Sequence, residues 1–344
     1  MQPAQPAANP AANPAAQPEQ HATELPRVGM VGLGNIGGKL AGSLLRNGVD
    51  LKVLDLDADV VADFAARGAA AAADPAELMR DCDVVITCLP SPAVSAQVVE
   101  TMLPEVDASK AWLEMSTTDA AEVHRLTELV TERGGAALEC PVSGGCHRAD
   151  TGNIAIFAGG DRATFERFLP LLTLMGRRIL HTGELGTAST LKVMTNYLAT
   201  ANLVACCEAL ATMRAAGVDL NTTYEAIRIS SGTSFVHETE SQVILNGSRD
   251  ISFTMDLVKK DIGLFQDIAD GAGVPLEVGP LLVSIFEDGI ARYGDRELSP
   301  NIIRRLEDAT GLDVLAPGFP SSLTDDEPEE RGYEVTATGA RVSG

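Results

Sequence analysis

The sequence has little of what marks a chain for export, a membrane or a nucleic acid. No apolar run reaches the ~18 residues that a membrane span needs, and Met1 to Gln20 contain neither a basic leader region nor an apolar one. A soluble, unexported, cytoplasmic protein with no membrane partner is expected. Lys and Arg number 26 against 48 Asp and Glu, and the resulting net charge of −22 repels a polyanion, so no nucleic acid partner is expected. The six cysteines, at 82, 88, 140, 146, 206 and 207, form no CxxC pair and no repeated spacing. That argues against a disulfide framework or zinc site and for reduced thiols. His124, His147, His181 and His237 are scattered without ligand spacing, so no metal is expected.

What is present is enough for more than one core, since the chain has 344 residues and is 45% apolar. Residues 1–24, rich in Ala, Pro and Gln, hold almost nothing to bury and read as a disordered tail. Residues 317–344 read the same way, because Asp325, Asp326, Glu327, Glu329 and Glu330 cluster there without an apolar period. From Arg27 to Gly183 short apolar runs (RVGMVGLG, VDLKVLDLD, DVVITCLP, AWLEMS, AALECPVS, IAIFAGG, RILHTG) alternate with helical patterns, which predicts a parallel sheet covered by helices over 25–186. After Gly183 strand signals stop. Thr187 to Ala216 reads as one long helix, with Leu191, Met194, Leu198, Ala201, Val204, Ala205, Leu210 and Met213 on one stripe. Further helices follow, so 187–316 is expected to be an all-helical domain joined to the first by that long helix.

Gly32, Gly34 and Gly37 of the run Gly32-Leu33-Gly34-Asn35-Ile36-Gly37 lie between a strand and a helix. There the first glycine makes the tight turn, the second admits the pyrophosphate and the third lets helix pack on strand. The helix N-terminus, with Asn35 and Ile36 leading into it, then offers free N–H groups to phosphates. Asp55 ends the next strand 18 positions after Gly37, where a carboxylate can accept from ribose hydroxyls. Its charge disfavours a 2′-phosphate, and no Arg stands among the next four residues to neutralise one, so NAD is the expected cofactor.

The remaining motifs, in their order and spacing, resemble the β-hydroxyacid dehydrogenase family, of which 3-hydroxyisobutyrate dehydrogenases are members. The resemblance covers about Val28 to Leu282. It implies a Rossmann domain followed by a helical domain, and NAD-dependent interconversion of a small 3-hydroxy acid and its semialdehyde. Cys88-Leu89-Pro90-Ser91-Pro92 and Met115-Ser116-Thr117-Thr118 look like the segments lining the nicotinamide half of the cofactor, which assigns Leu89, Pro90 and Thr117 to it. Pro141-Val142-Ser143-Gly144-Gly145 looks like the loop for the substrate carboxylate, and Gly186 to Asn196 like the catalytic helix. FTMDLVKKD looks like the closing motif, placing Lys260 near nicotinamide and substrate and matching Phe253 and Asp261 to its partners.

Chemistry supports Lys192 as the acid/base. A neutral amine can take the alcohol proton while hydride leaves the carbon, and burial beside a cationic nicotinamide lowers a lysine pKa. Asn196, four residues on and hence on the same helix face, either hydrogen-bonds the reacting hydroxyl or orients Lys192. Thr195 departs from the family, whose members often carry a second Asn there. His147 and Arg148 follow the two glycines where relatives often have small residues, and either face solvent, the reading preferred here, or recognise a second group on the substrate. An extended apolar stripe on the long helix predicts a homodimer or homotetramer. Two rival readings share the architecture. An imine reductase-like enzyme usually lacks the lysine and prefers NADP, while a noncatalytic NAD-binding sensor is distinguished by NADH binding without turnover.

Overall fold

The computed structural model describes residues 25–342; the tail expected at 1–24 lies outside the described residues. The first domain alternates strand and helix: β1 (Val28–Val31), α1 (Gly37–Arg46), β2 (Leu51–Leu54), α2 (Ala58–Ala66), β3 (Ala70–Ala71), α3 (Pro75–Asp81), β4 (Val84–Thr87), α4 (Pro92–Met102), β5 (Ala111–Glu114), α5 (Ala120–Thr131) and β6 (Ala136–Glu139). β1, β4 and β5 are buried at every position, as strands covered on both faces must be, which is why they read as continuous apolar runs. One face of the sheet carries a core that includes Leu40, Leu44, Ile86 and Phe165, and the other a core that includes Leu78, Val85, Trp112 and Val130. Helix starts follow capping chemistry: Asp74 accepts from Glu77 N with Pro75 opening α3, and Ser91 accepts from Val94 N with Pro92 opening α4.

The chain continues through β7 (Val142–Ser143), α6 (Gly145–Asp150), β8 (Ala155–Gly159), α7 (Arg162–Leu172) and β9 (Arg178–Gly183). The sheet order is β3-β2-β1-β4-β5-β6-β8-β9, and the first six strands are parallel. β8 is antiparallel to β6 and parallel to β9. Only a short segment separates β6 from β8, and it includes no full crossover helix, so the reversed direction is the one the linkage permits. The strand order turns back at β1, and the loops after β1, β2, β4 and β5 therefore gather at one carboxyl edge.

The second domain comprises α8 (Thr187–Ala215), α9 (Leu220–Arg228), α10 (Phe235–Asn246), α11 (Met255–Gly271), α12 (Val278–Tyr293) and α13 (Arg304–Thr310). Its core includes Leu203, Leu210, Val258, Phe286 and Ile303. The buried face of α8 differs from the expected stripe. Ala188, Lys192, Val193, Thr200, Leu203, Cys206, Cys207 and Leu210 are buried, whereas Leu198 is 51% exposed. The helix is apolar on more than one side, and sequence periodicity does not say which side the domain covers.

The acidic C-terminal segment is structured over 317–342, contrary to expectation. Ala316 N donates to Leu245 O and Asn246 Nδ2 to Phe319 O, which fixes its start on the helical domain. It then crosses to the first domain. Asp325 accepts from Thr151 Oγ1 and Asn153 Nδ2, and the acids pair with Arg148, Arg46, Arg177 and Arg162 through Glu327, Glu329, Glu330 and Glu334 respectively. Two strands, β10 (Tyr333–Val335) and β11 (Arg341–Val342), extend the sheet, β10 lying parallel to β9. Edge pairing and ion pairs supply what the segment lacks in apolar residues.

Candidate active site

The carboxyl edge of the sheet and the face of α8 enclose a cavity of about 1420 Å³. All the residues singled out in the sequence line it: Gly32, Gly34, Asn35, Ile36, Gly37, Asp55, Leu89, Pro90, Thr117, Ser143, Gly144, Gly145, Lys192, Asn196 and Lys260.

The glycine loop has the shape its sequence requires. A Cβ on Gly32, where φ is +92°, would lie 2.3 Å from Cys88 O, and one on Gly37 would lie 2.0 Å from Gly32 O. Gly34 has nothing within 4 Å of its absent side chain, so its backbone opens on the cavity where a phosphate can approach. Asp55 is anchored by Leu33 N at 2.6 Å and Asp57 N at 2.9 Å, one donor to each oxygen, and its remaining lone pairs are available to ribose hydroxyls. Ser116 Oγ accepts from Leu89 N at 2.8 Å and joins the two loops expected to flank the nicotinamide. Asn35 Nδ2 donates to Ser252 O at 2.8 Å and so links the glycine loop to the helical domain.

Lys192 is only 8% exposed. Its Nζ donates to Asn196 Oδ1 at 2.7 Å, and Asn196 Nδ2 donates to the buried Asp261 at 2.5 Å. Burial pushes the Lys192 ammonium down from its ordinary 10.5 to about 8; the Asp261 carboxylate opposes the fall and Lys260 adds to it. Lys260 Nζ donates to Thr117 O at 3.1 Å and lies 3.3 Å from Asp261 Oδ1, which bridges the cofactor side of the cleft to the helical domain. Thr195 Oγ1 turns back onto Lys192 O.

Two features were not expected from the sequence. Glu139, fully buried at the end of β6, accepts from Ala188 N, Ser189 N and Ser189 Oγ, so it caps the N-terminus of α8 and fixes the helix that carries Lys192. Backbone donors leave no signature in the sequence. Arg148 departs from the solvent-facing reading: its guanidinium lies 4.9 Å over the Phe235 ring and 3.3 Å from Glu327. His147 stacks on the same ring, with centroids 6.2 Å apart.

Residues 27–183 match the NAD-binding domain model of 6-phosphogluconate dehydrogenase, and residues 186–306 match the model described as NAD-binding of NADP-dependent 3-hydroxyisobutyrate dehydrogenase. The chain is 31% identical over 292 residues to the 2-(hydroxymethyl)glutarate dehydrogenase of Eubacterium barkeri, covering 84% of this chain and 97% of that one. The chain belongs to the β-hydroxyacid dehydrogenase family. Identity is 32% over 301 residues to the NAD-dependent L-serine dehydrogenase of Pseudomonas aeruginosa, covering 83% and 99% of the two chains. A solved Mycobacterium tuberculosis 3-hydroxyisobutyrate dehydrogenase with L-serine superposes with a TM-score of 0.74 at 25% identity, over 82% of this chain and 99% of that one. As a member of this family the protein is an oxidoreductase acting on CH–OH groups with NAD as cofactor. The segment after 306 lies beyond both family models.

Proposed function

We propose that this dehydrogenase interconverts a small 3-hydroxy acid, of the 3-hydroxyisobutyrate type, and its semialdehyde. The observation that carries the reading is the Lys192–Asn196–Asp261 chain of hydrogen bonds, set in the same cavity as the loop Ser143-Gly144-Gly145. Gly144 and Gly145 adopt φ of +135° and +84°, conformations open to glycine, and with the Ser143 hydroxyl their backbone N–H groups are suited to a carboxylate. A substrate held there presents the hydroxyl on its third carbon to Lys192. Bound NAD supplies the hydride acceptor. In oxidation the O–H proton passes to neutral Lys192 Nζ as the C–H bond gives up its electron pair, and a carbonyl forms. Asn196, held by Asp261, keeps Nζ in line; in reduction the ammonium form returns the proton. Gly34, Asp55, Leu89, Pro90, Thr117 and Lys260 are assigned to the cofactor.

The names of the relatives support this class of substrate. Hydroxymethylglutarate, serine and 3-hydroxyisobutyrate all contain HO–CH2–CH–COO⁻ and differ at the second carbon. A screen of NAD reduction across C3 to C5 hydroxy acids tests the reading, with highest kcat/KM expected for a 3-hydroxy monocarboxylate. NADH binding with no turnover of any 3-hydroxy acid would reject it. The second apolar side of α8, where Leu198 is exposed, supports assembly as a homo-oligomer, which light scattering checks.

A further inference from the structure

The C-terminal segment places carboxylates against a cation beside the substrate loop. A Cβ on Gly144 would lie 3.3 Å from Arg148 Cδ, so the Arg148 stem packs on the loop assigned to the substrate carboxylate, and Arg148 lines the cavity. Its guanidinium is held on one side by the Phe235 ring and on another by Glu327 Oε1. Glu327 is itself fixed: its other oxygen lies 3.5 Å from Arg178 and its carbonyl accepts from Asn153 Nδ2 at 2.9 Å. Asp325, two residues earlier, accepts from Thr151 Oγ1 and Asn153 Nδ2 and holds the segment against the first domain. Between the anchors on the two domains, Ser322 and Leu323 line the cleft.

We infer that this segment is a strap that sets the charge selectivity of the site, with Glu327 occupying Arg148 so that the cleft prefers monoanionic 3-hydroxy acids over those carrying a second anionic group. The inference rests on the reading of Ser143-Gly144-Gly145 as the carboxylate loop. An arginine beside that loop would otherwise present a forked donor to a carboxylate, phosphate or sulfonate on the substrate's second carbon. With Glu327 in place one terminal nitrogen of that fork is already paired, and an incoming anion that takes both must displace a carboxylate tethered to the same chain.

The test compares the parent with Glu327→Gln and with Glu327→Gln combined with Arg148→Ala. Kinetics use 3-hydroxyisobutyrate as the monoanion and 2-(hydroxymethyl)succinate as the dianion, which share the reacting alcohol. Calorimetry on the NADH complex uses the unreactive isobutyrate and methylsuccinate, so that one readout does not depend on turnover. Glu327→Gln is expected to raise dianion kcat/KM and methylsuccinate affinity about three- to fivefold, the most that a partly exposed pair can withhold, with the monoanion values changed by less than about 1.5-fold. The double variant is expected to lose that gain. An unchanged dianion response in Glu327→Gln, or a gain that survives in the double variant, overturns the strap's role while monoanion turnover leaves the site reading intact. Failure of every variant to turn over either acid while still binding NADH rejects the site reading itself.

Discussion

The pH dependence of the reaction should report Lys192 directly. With its pKa lowered to about 8 by burial, Lys192 is neutral in about one tenth of molecules at pH 7 and about nine tenths at pH 9. Oxidation needs the neutral amine and reduction the ammonium. The kcat/KM for alcohol oxidation should therefore rise about tenfold from pH 7 to 9, and that for aldehyde reduction should fall by a similar factor. Lys192→Met keeps most of the volume and removes the proton acceptor, which should lower kcat by about 10² to 10⁴ while NADH affinity changes little. The same burial has a stability consequence. Between about pH 8 and 10.5 the unfolded chain retains a proton that folded Lys192 has released, so this residue makes stability rise with pH across that window. The full interval corresponds to at most about 3 kcal/mol, and Lys192→Met should abolish that slope. Stopped-flow NADH absorbance and thermal melts at matched pH measure both effects. Flat oxidation kinetics from pH 7 to 9, or a Lys192→Met enzyme within tenfold of the parent, would refute the assignment of Lys192 as the base.

Asp55→Ala should weaken NAD by about 1.5 to 3 kcal/mol through lost charge-assisted hydrogen bonds and narrow the preference over NADP, as read by nucleotide titration; equal kcat/KM with both cofactors in the parent would contradict the role of Asp55. Glu139→Gln leaves the capped N-terminus of α8 with a neutral, ill-matched partner and should cost about 2 to 4 kcal/mol in denaturant unfolding, so a midpoint equal to the parent's would show that the cap is dispensable. Glu240 lines the cleft with a buried carboxylate oxygen that has no hydrogen-bond partner among the described residues, and burial raises its pKa from 4.5 to about 8. Folding holds that proton more tightly than the unfolded chain does, so stability declines as pH rises from about 4.5 to 8. Glu240→Gln should raise Tm at pH 8 and leave it nearly unchanged at pH 4, and equal shifts at both would contradict this.

Where backbone geometry dictates both residue type and spacing, the sequence is informative. Gly32 and Gly37 are required because any Cβ collides with a carbonyl oxygen, and Asp55 must end β2 to reach Leu33 N. Lys192 and Asn196 are four apart on one helix, so their contact follows from helical periodicity. Asp261 is another 65 positions along, and only the resemblance to family motifs connects it to the site. Glu139 carries no such signal because its partners are mainly the backbone donors at the start of α8. The C-terminal segment differs from its sequence expectation for a related reason: apolar periodicity detects core burial, whereas this segment is held by ion pairs and by main-chain bonds such as Gly332 N to Thr173 O and Tyr333 N to Arg177 O.

How the strap is held determines what its variants can show. The Arg46–Glu329, Arg148–Glu327 and Arg178–Glu327 pairs are all partly exposed, and a pair of that kind contributes about 0 to 1 kcal/mol. Firmer anchorage lies beyond them, where Arg162 grips the buried Glu334 with both terminal nitrogens and β10 pairs with β9. Removing the Glu327 charge therefore leaves the strand and the Glu334 clamp in place, and a change in substrate choice on Glu327→Gln follows from Arg148 being freed. Arg162→Ala acts at the opposite end. It strands the buried Glu334 carboxylate, should lower thermal stability, and should loosen the strap as a whole. If both variants shift charge preference equally, detachment of the strap is the common cause; if only Glu327→Gln does so, the contact with Arg148 is what selects.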